Sequence, residues 1–274
     1  MGLKAYLERD PECRDLVAGA IHAAAPLLTE PDPAPTLALL DAWAFQLAGR
    51  MPLPWNLHKA IDALNHFLFR DLGLAGDRDT YDAPANAALP LVIERRKGLP
   101  ISLSILWMGV AERLGLRAVG IALPGHFIAG LQLDTGLLCF DPFHGGRPVG
   151  EGEAARLVFE ATGGRLAFEP AFLAPARHRD ILIRLVRNLL VRFMRTGAWD
   201  DALWAANHLV LLSPEDSGAY RDRAEIHLQR DLLPEAIADL RRALALSAHP
   251  DPELEASLSR LLRAKDDHGP APLP

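Results

Sequence analysis

A histidine and an aspartate stand at the ends of two short apolar runs, fifteen residues apart. His126 follows a Pro-Gly pair and opens one run, whereas Asp141 closes the next run and precedes a proline. A histidine that is oriented by an aspartate can act as a general base toward a Ser, Cys or Thr nucleophile. These residues indicate the chemistry of a nucleophile–histidine–aspartate hydrolase or transferase, with the nucleophile expected at a helix N-terminus, where the helix dipole activates it.

The helix that should carry this nucleophile begins at Pro100. Residues 100–114 (PISLSILWMGVAERL) are apolar on nearly every face, which predicts a buried helix, and Gly115 ends it. Proline suits the first position of a helix, because its missing N–H would have no partner there. It cannot act as a nucleophile, however. The central question is therefore whether the chain is an enzyme.

Two other residues could replace the nucleophile. Ser102 lies about 200° around the helix from Pro100, whereas Ser104 lies about 400° around it, on nearly the same face and one turn deeper. Ser104 is the better candidate, although we expect a buried hydroxyl bonded to a backbone carbonyl. Cys139 is the second candidate. A strand cysteine lacks the helix dipole that lowers a thiol pKa, so a role as a small core residue is favoured.

Without a nucleophile, His126 and Asp141 are still expected to be hydrogen-bonded in a cleft. Such a pair can be structural, bind a ligand or act as a general base toward water. A metal site is a further alternative, because His126, Cys139, Asp141 and His144 fall within nineteen residues. No paired-ligand motif such as CxxC or HExxH supports it. We therefore predict neither a metal nor a cofactor.

Short apolar runs separated by turn residues predict a small antiparallel sheet between two helical sections. The expected strands are residues 117–123, 127–133 and 136–141, and no helix fits between them. Residues 1 to about 70 have the apolar spacing of helices. The Pro/Asn/Ala-rich residues 81–90 are expected to form a loop, and the chain is helical again from about residue 179.

The C-terminal helical section contains a repeat. Residues 197–216 (GAWDDALWAANHLVLLSPED) align with residues 231–250 (DLLPEAIADLRRALALSAHP) at an offset of 34 residues, with Ala202 matching Ala236. This period is typical of tetratricopeptide repeats. Two repeats are fewer than such arrays need to stand alone, so we expect them to pack on the upstream domain.

The composition of the chain argues against several classes of function. The chain has 274 residues, 50% of them hydrophobic, and a net charge of −6, which argues against general nucleic-acid binding. It has no apolar run of about 18 residues that would span a membrane. Its N-terminal residues are charged, so no secretory signal is expected. Its two cysteines, Cys13 and Cys139, fit a reducing compartment. We expect a cytoplasmic protein.

The order of these motifs resembles the transglutaminase-like branch of the papain-like superfamily. The strings KGLPISLS (97–104), LPGHF (123–127), DPFHGG (141–146) and YDAPAN (81–86) are similar to a narrower group, the bacterial SirB-type proteins with C-terminal tetratricopeptide repeats. The resemblance covers about residues 35–265 and implies that Pro100 occupies the family's cysteine position. The group often has an arginine four residues after the histidine. Gly130 stands there, so the resemblance does not extend to an anion or partner site that needs this arginine.

These observations together predict an α+β protein. A transglutaminase-like domain with a helical N-terminal section and a small antiparallel sheet spans residues 1–177, repeat-like helices span 178–265, and a disordered tail spans 266–274. The expected function is a non-catalytic, cytoplasmic adaptor or regulatory factor that binds a protein or peptide through the repeat helices and binds neither nucleic acid nor membrane. The alternative is a hydrolase or acyl transferase in which Ser104 or Cys139 acts with His126 and Asp141.

Overall fold

The computed structural model describes residues 2–51 and 56–267, and it divides into two compact units. Unit 1 is Met1–Leu185 and unit 2 is Val186–Pro274. In the two described ranges, no helix is both long and apolar enough to cross a lipid bilayer. The two cysteines are free, buried thiols.

Unit 1 is rich in helices, which precede and follow a small sheet. Its helices are α1 (Leu3–Arg9), α2 (Leu16–Ala23), α3 (Ala34–Arg50), α4 (Leu57–His66), α5 (Leu89–Arg95), α6 (Pro100–Arg113), α7 (Glu151–Thr162) and α8 (His178–Thr196). The last of these continues into unit 2. Its strands are β1 (Ala75–Gly76), β2 (Lys97–Gly98), β3 (Ala118–Ile121), β4 (Ile128–Leu133), β5 (Gly136–Asp141), β6 (Arg147–Val149) and β7 (Pro175–Ala176).

The five-stranded sheet has the order β6-β5-β4-β3-β7, and each neighbouring pair is antiparallel. The predicted hairpins of β3, β4 and β5 are confirmed. The short edge strands β6 and β7 were not predicted, and each contains a proline, Pro148 or Pro175. Proline cannot donate a ladder hydrogen bond, so it is found on sheet edges, where it also limits further strand pairing. Strands β1 and β2 form a separate parallel pair.

Helix α6 confirms the predicted buried helix, since every residue from Pro100 to Ala111 is buried. Its first turn is held by Ser102, whose hydroxyl accepts from the Leu99 amide at 2.9 Å and donates to the Asn86 carbonyl oxygen at 2.7 Å. This buried hydroxyl therefore joins the start of α6 to the preceding segment and takes the place of a capping side chain at Leu99.

Trp107 joins α6 to the turn that follows β5. Its indole Nε1 donates to Oδ1 of Asn65 at 2.8 Å, and the Asn65 amide donates to the Gly146 carbonyl oxygen at 2.9 Å. The indole also stacks on Phe140 of β5, with ring centroids 5.5 Å apart. This chain of contacts fixes the end of β5, where Asp141 stands.

The segment before α5 is more ordered than the predicted loop over 81–90. It contains a 3₁₀ turn at Pro84–Ala87, and α5 begins at Leu89. The fully buried Asp77 organises it, because its carboxylate accepts from the Thr80 amide at 2.9 Å and from the Thr80 hydroxyl at 2.6 Å. Arg95 of α5 lies 3.4 Å from the same carboxylate. The loop prediction was wrong at the 3₁₀ turn and at the start of α5, where Asn86 donates to the Thr80 carbonyl oxygen at 2.7 Å and accepts from Arg95 at 2.8 Å.

Unit 2 consists of α9 (Trp199–Leu212), α10 (Ser217–Gln229), α11 (Leu233–Leu246) and α12 (Pro252–Asp267), together with the end of α8. Buried side chains of α10, α11 and α12 form its core around Tyr220. Arg223 of α10 makes a bidentate pair with the nearly buried Asp239 of α11, at 2.6 and 2.7 Å. Residues 268–274, most of the predicted tail, lie outside the described residues.

We predict that Asp77→Ala lowers the free energy of unfolding by about 1–3 kcal/mol at pH 7, because it leaves the Thr80 amide and hydroxyl without their acceptor. The matched control is Asp79→Ala. Asp79 is 84% exposed and pairs with Lys97 at the surface, so its loss should cost less than about 1 kcal/mol. Urea unfolding of both variants would measure the two costs, and equal costs would contradict the assigned role of Asp77.

The contribution of Asp77 to the free energy of unfolding should also depend on pH. Burial alone would raise the pKa of Asp77, but hydrogen bonds from Thr80 outweigh it and lower the pKa to about 2. A lowered pKa in the folded state stabilises the protein above the unfolded-state pKa, and this stabilisation disappears as the pH falls toward 2. The difference between wild type and Asp77→Ala should therefore shrink from about pH 4 downward in the same unfolding measurement.

Candidate functional site

His126 lies in the turn that joins β3 to β4, and backbone hydrogen bonds hold this turn. The His126 amide donates to the Leu123 carbonyl oxygen at 3.2 Å. Arg184 of α8 donates from Nη2 to the carbonyl oxygens of Leu123 at 2.8 Å and of His126 at 2.7 Å. Gly125 has a φ of +73°, and a Cβ there would lie 2.5 Å from the Cβ of Ala161. The turn therefore requires a glycine next to the histidine.

Asp141 ends β5 with its carboxylate fully buried between two histidines. Its Oδ2 lies 3.1 Å from Nε2 of His126 and 2.7 Å from Nδ1 of His144. Its Oδ1 accepts the His144 amide at 3.3 Å and so caps the 3₁₀ turn Pro142–His144. Burial alone would raise the pKa of Asp141, but hydrogen bonds and charge interactions with both histidines hold it below its usual value. The expected His126–Asp141 hydrogen bond is present, and His144 joins it.

Aromatic rings surround this His–Asp–His cluster, the name we use for His126, Asp141 and His144. Phe143 meets the rings of His126, His144 and Tyr81 edge to face, at centroid distances of 6.1, 5.2 and 6.0 Å. The Phe143 ring lies so close to Gly76 that a Cβ there would be 2.6 Å from it. The cluster is therefore oriented by packing as well as by hydrogen bonds.

One guanidinium approaches the cluster. Arg147 of β6 has Nη2 4.0 Å from Oδ2 of Asp141, but only 2.7 Å from Glu153 of α7. Its Nε is buried and has no hydrogen-bond partner in the part of the chain that the structure describes. Arg147 is thus closer to Glu153 than to Asp141, and Glu153 also pairs with Arg156 at 2.6 Å.

Among the described residues, none of the nucleophile candidates from the sequence is hydrogen-bonded to His126. Pro100 is the first residue of α6 and is buried. Ser104 is fully buried, but its hydroxyl has no hydrogen-bond partner among the described residues. The expectation of a bond from Ser104 to a backbone carbonyl was therefore wrong. No hydrogen bond joins Ser104 to His126 either, so the histidine does not activate this hydroxyl here.

Cys139 lies in the core of the sheet. Its strand neighbours are Gly130 and Val149, and its side chain belongs to a cluster of buried apolar residues that includes Ile121 and Leu157. Burial raises the pKa of the Cys139 thiol to about 11, so the thiol is protonated at neutral pH. Although Cys139 precedes Asp141 by two residues on the same strand, it is not among the residues of the His–Asp–His cluster.

A cavity of about 500 Å³ opens beside the cluster. His144 and Phe143 line one side of it, and polar residues of α4, including Asp62 and Asn65, line another. The side chain of His144 is 22% exposed, compared with 9% for His126. Solvent and small solutes therefore reach the cluster through His144.

A second cavity, of about 850 Å³, lies beside the N-terminal helices and is lined by Tyr6, His22 and several carboxylates. Two of these carboxylates accept hydrogen bonds from backbone amides. Asp15 caps α2 by accepting the Ala18 amide, and Asp10 accepts the Asp15 amide, both at 3.0 Å. These contacts stabilise helix ends and indicate no chemistry of their own.

The predicted contact between His126 and Asp141 is present, and His144, which the sequence grouped with them only as a metal-ligand alternative, joins it. A local signal was available, because His144 follows Asp141 by three residues across one 3₁₀ turn. The role of Arg184 had no such signal. It lies 58 residues from His126 along the chain, and only folding brings it to the turn. At Gly130, four residues after His126, a Cβ would lie 3.0 Å from the Leu138 carbonyl oxygen.

We predict that Asp141→Asn destabilises the protein by about 1–3 kcal/mol at pH 7, because a neutral amide replaces the buried carboxylate that both imidazoles contact. Asp134→Asn is the control, since Asp134 is 93% exposed and pairs with Arg117 at the surface. Thermal or urea unfolding would compare them. A cost for Asp141→Asn no larger than that of the control would show that the cluster contributes nothing to stability.

The chain is similar in sequence to several known proteins. The chain is 41% identical over 195 residues to a UPF0162 protein of Xylella fastidiosa, covering 70% of this chain and 69% of the relative. It is 34% identical over 182 residues to a UPF0162 protein of Pseudomonas aeruginosa, covering 66% of each. It is also similar to the mouse F-box only protein 21, with 29% identity over 147 residues that make up 51% of this chain and 22% of that protein.

A sequence model of the transglutaminase-like superfamily matches residues 34–187, which are more than half of the chain. This range contains α6, the turn with His126 and the end of β5 with Asp141. The predicted resemblance to this superfamily is thereby confirmed, and the chain belongs to the transglutaminase-like superfamily.

Proposed function

We propose that this chain is a non-catalytic transglutaminase-like protein of the SirB type, which acts as a cytoplasmic protein-binding adaptor or regulatory factor. The observation that carries the proposal is Pro100 at the start of α6. A proline side chain has neither a proton to give to His126 nor a lone pair with which to attack a carbonyl carbon. The two free cysteines support a reducing compartment.

The other hydroxyl and thiol candidates also support a non-catalytic role. The Ser102 hydroxyl is engaged with the Asn86 and Leu99 backbone at the start of α6. A general base must lie within hydrogen-bond reach of the proton that it removes, and the Ser104 hydroxyl has no partner among the described residues. Cys139 is protonated at neutral pH and packed among apolar side chains. His126 and Asp141 thus form a base without a nucleophile.

The competing function is a hydrolase or acyl transferase that uses Ser104 or Cys139. The specific observation in its favour is the Ser104 hydroxyl itself, because a buried polar atom without a partner is costly and such atoms occur at functional sites. A rearrangement that brought this hydroxyl to His126 would restore a triad. Chemical labelling separates the two functions.

We predict that the native protein reacts neither with a fluorophosphonate at Ser104 nor with iodoacetamide at Cys139. The serine is not activated, and burial keeps the thiol protonated. Intact-protein mass spectrometry would measure the adducts. As a control for the reagent, Cys13 and Cys139 should both be alkylated after unfolding in guanidinium. A native adduct at either residue that is lost in His126→Ala would establish the enzyme and overturn the non-catalytic proposal.

The helices of unit 2 support the binding role. Helices α9 and α11 begin at residues 199 and 233 and end at residues 212 and 246, so both ends keep the 34-residue offset of the sequence repeat. The matching small residues Ala202 and Ala236 are both fully buried. We therefore include a pair of tetratricopeptide-like repeats in the proposal, since such helix pairs present grooves to peptides or partner helices.

A groove of about 650 Å³ in unit 2 is the proposed peptide-binding surface. Leucines contribute its apolar part, namely Leu228, Leu240, Leu254 and Leu261. Charged residues of both signs border it, including Asp222, Glu225 and Arg260. This mixture fits a peptide with apolar anchors and flanking charges, and it lacks the basic stripe that nucleic acid requires.

We predict that a photo-crosslinking amino acid at position 228 yields a discrete cross-linked partner in cells, whereas one at position 211 does not. Leu228 and Leu211 are similarly exposed, at 39% and 37%, but only Leu228 lines the groove. Adding Leu261→Glu, which places a charge in the groove, should remove the cross-link. Equal cross-links from both positions, or none, would contradict this binding surface.

A further inference from the structure

We propose that His126, Asp141 and His144 together bind one divalent transition-metal ion of the zinc type. This site goes beyond the proposed adaptor function and differs from the sequence-based expectation of no metal. Nε2 of His126, one carboxylate oxygen of Asp141 and Nδ1 of His144 all lie within 4.8 Å of one another. The two histidines come from different elements, the β3–β4 turn and the 3₁₀ turn after β5, and converge on a single oxygen atom.

The donor set suits this class of ion. Two imidazole nitrogens and one carboxylate oxygen bind Zn²⁺ in sites that keep a fourth position for water or another ligand. The same set, with open positions, also binds ferrous iron and its neighbours, whereas Mg²⁺ and Ca²⁺ prefer oxygen ligands alone. The cluster therefore favours a transition metal over the common alkaline-earth ions.

The three ligand atoms must move before they can bind a zinc ion. Tetrahedral zinc with bonds of about 2.0–2.1 Å separates its ligand atoms by about 3.3 Å. The oxygen of Asp141 is already 3.1 Å from Nε2 of His126 and 2.7 Å from Nδ1 of His144, and the two nitrogens lie no more than 4.8 Å apart. The carboxylate must move away from the imidazoles by a few tenths of an ångström, and the nitrogens must approach each other. Each imidazole that donates to Asp141 must also move its proton to the other ring nitrogen, because a metal binds the lone pair.

The burial of Asp141 and the partial exposure of His144 both fit an ion site. Asp141 is fully buried, and a buried carboxylate needs a cation or hydrogen-bond donors to offset its desolvation. His144 is partly exposed and lines the 500 Å³ cavity, which gives the ion a route from solvent. Arg147 is an opposing charge 4.0 Å from Asp141, and it also pairs with Glu153 at 2.7 Å.

Zinc chloride titrated into metal-depleted, full-length protein tests the proposal by isothermal titration calorimetry. We expect one equivalent to bind to wild type and the affinity to fall by about 10-fold or more in His144→Ala. Co²⁺ should give the visible absorption of a tetrahedral site in wild type but not in this variant. His144 is the ligand to change first, because its partial exposure lets the variant fold, which circular dichroism would check.

His66→Ala is the matched control. His66 lines the same cavity, but its imidazole is 69% exposed and pairs with Asp71 rather than with the cluster. This variant should bind Zn²⁺ like wild type. Absence of binding to wild type, or equal affinities of wild type and His144→Ala, would overturn the metal site. Neither result bears on the labelling of Ser104 and Cys139, so failure of the metal site and failure of the non-catalytic proposal are distinguishable.

Discussion

Burial of helix α6 is the constraint on which the arrangement of unit 1 depends. All of its residues from Pro100 to Ala111 are buried, so the helix needs neighbours on every side. Helices α2, α3 and α5 contact it, as do strands β3 and β4 and the turn after Asp141. Covering this helix brings the end of β5 into the core, and Trp107 completes the attachment through Asn65 and Phe140. The site is thus a consequence of how the core is closed.

The buried charge of Asp141 constrains the site whether or not the site is catalytic. A fully buried carboxylate is costly unless donors surround it, and His126 and His144 supply them. Pro100 at the start of α6 leaves this requirement unchanged. Pro100 even suits the start of the helix, because its absent N–H would have no partner there. The pair therefore keeps a structural role, and the imidazoles remain available to a ligand that needs nitrogen donors.

The two units divide the proposed functions between them. Unit 1 holds a small cluster of two histidines and a buried aspartate that is partly exposed at His144, and three converging ligand atoms suit a single ion better than a polymer. Unit 2 instead offers leucines and mixed charges along a groove of repeated helices. Helix pairs of this kind bind extended or helical peptides by burying apolar anchors. Under the proposed function, both features would serve recognition rather than turnover.

The sequence by itself determined α6, the antiparallel hairpins and the pairing of His126 with Asp141, because apolar periodicity and turn residues report burial over short stretches of chain. Tertiary structure alone decided which polar atoms find partners. It left the Ser104 hydroxyl unpartnered among the described residues, brought Arg184 to the His126 turn and ordered the segment around Asp77. The contact of Arg184 joins residues 58 positions apart in the chain, and local patterns carry no information about such distant partners.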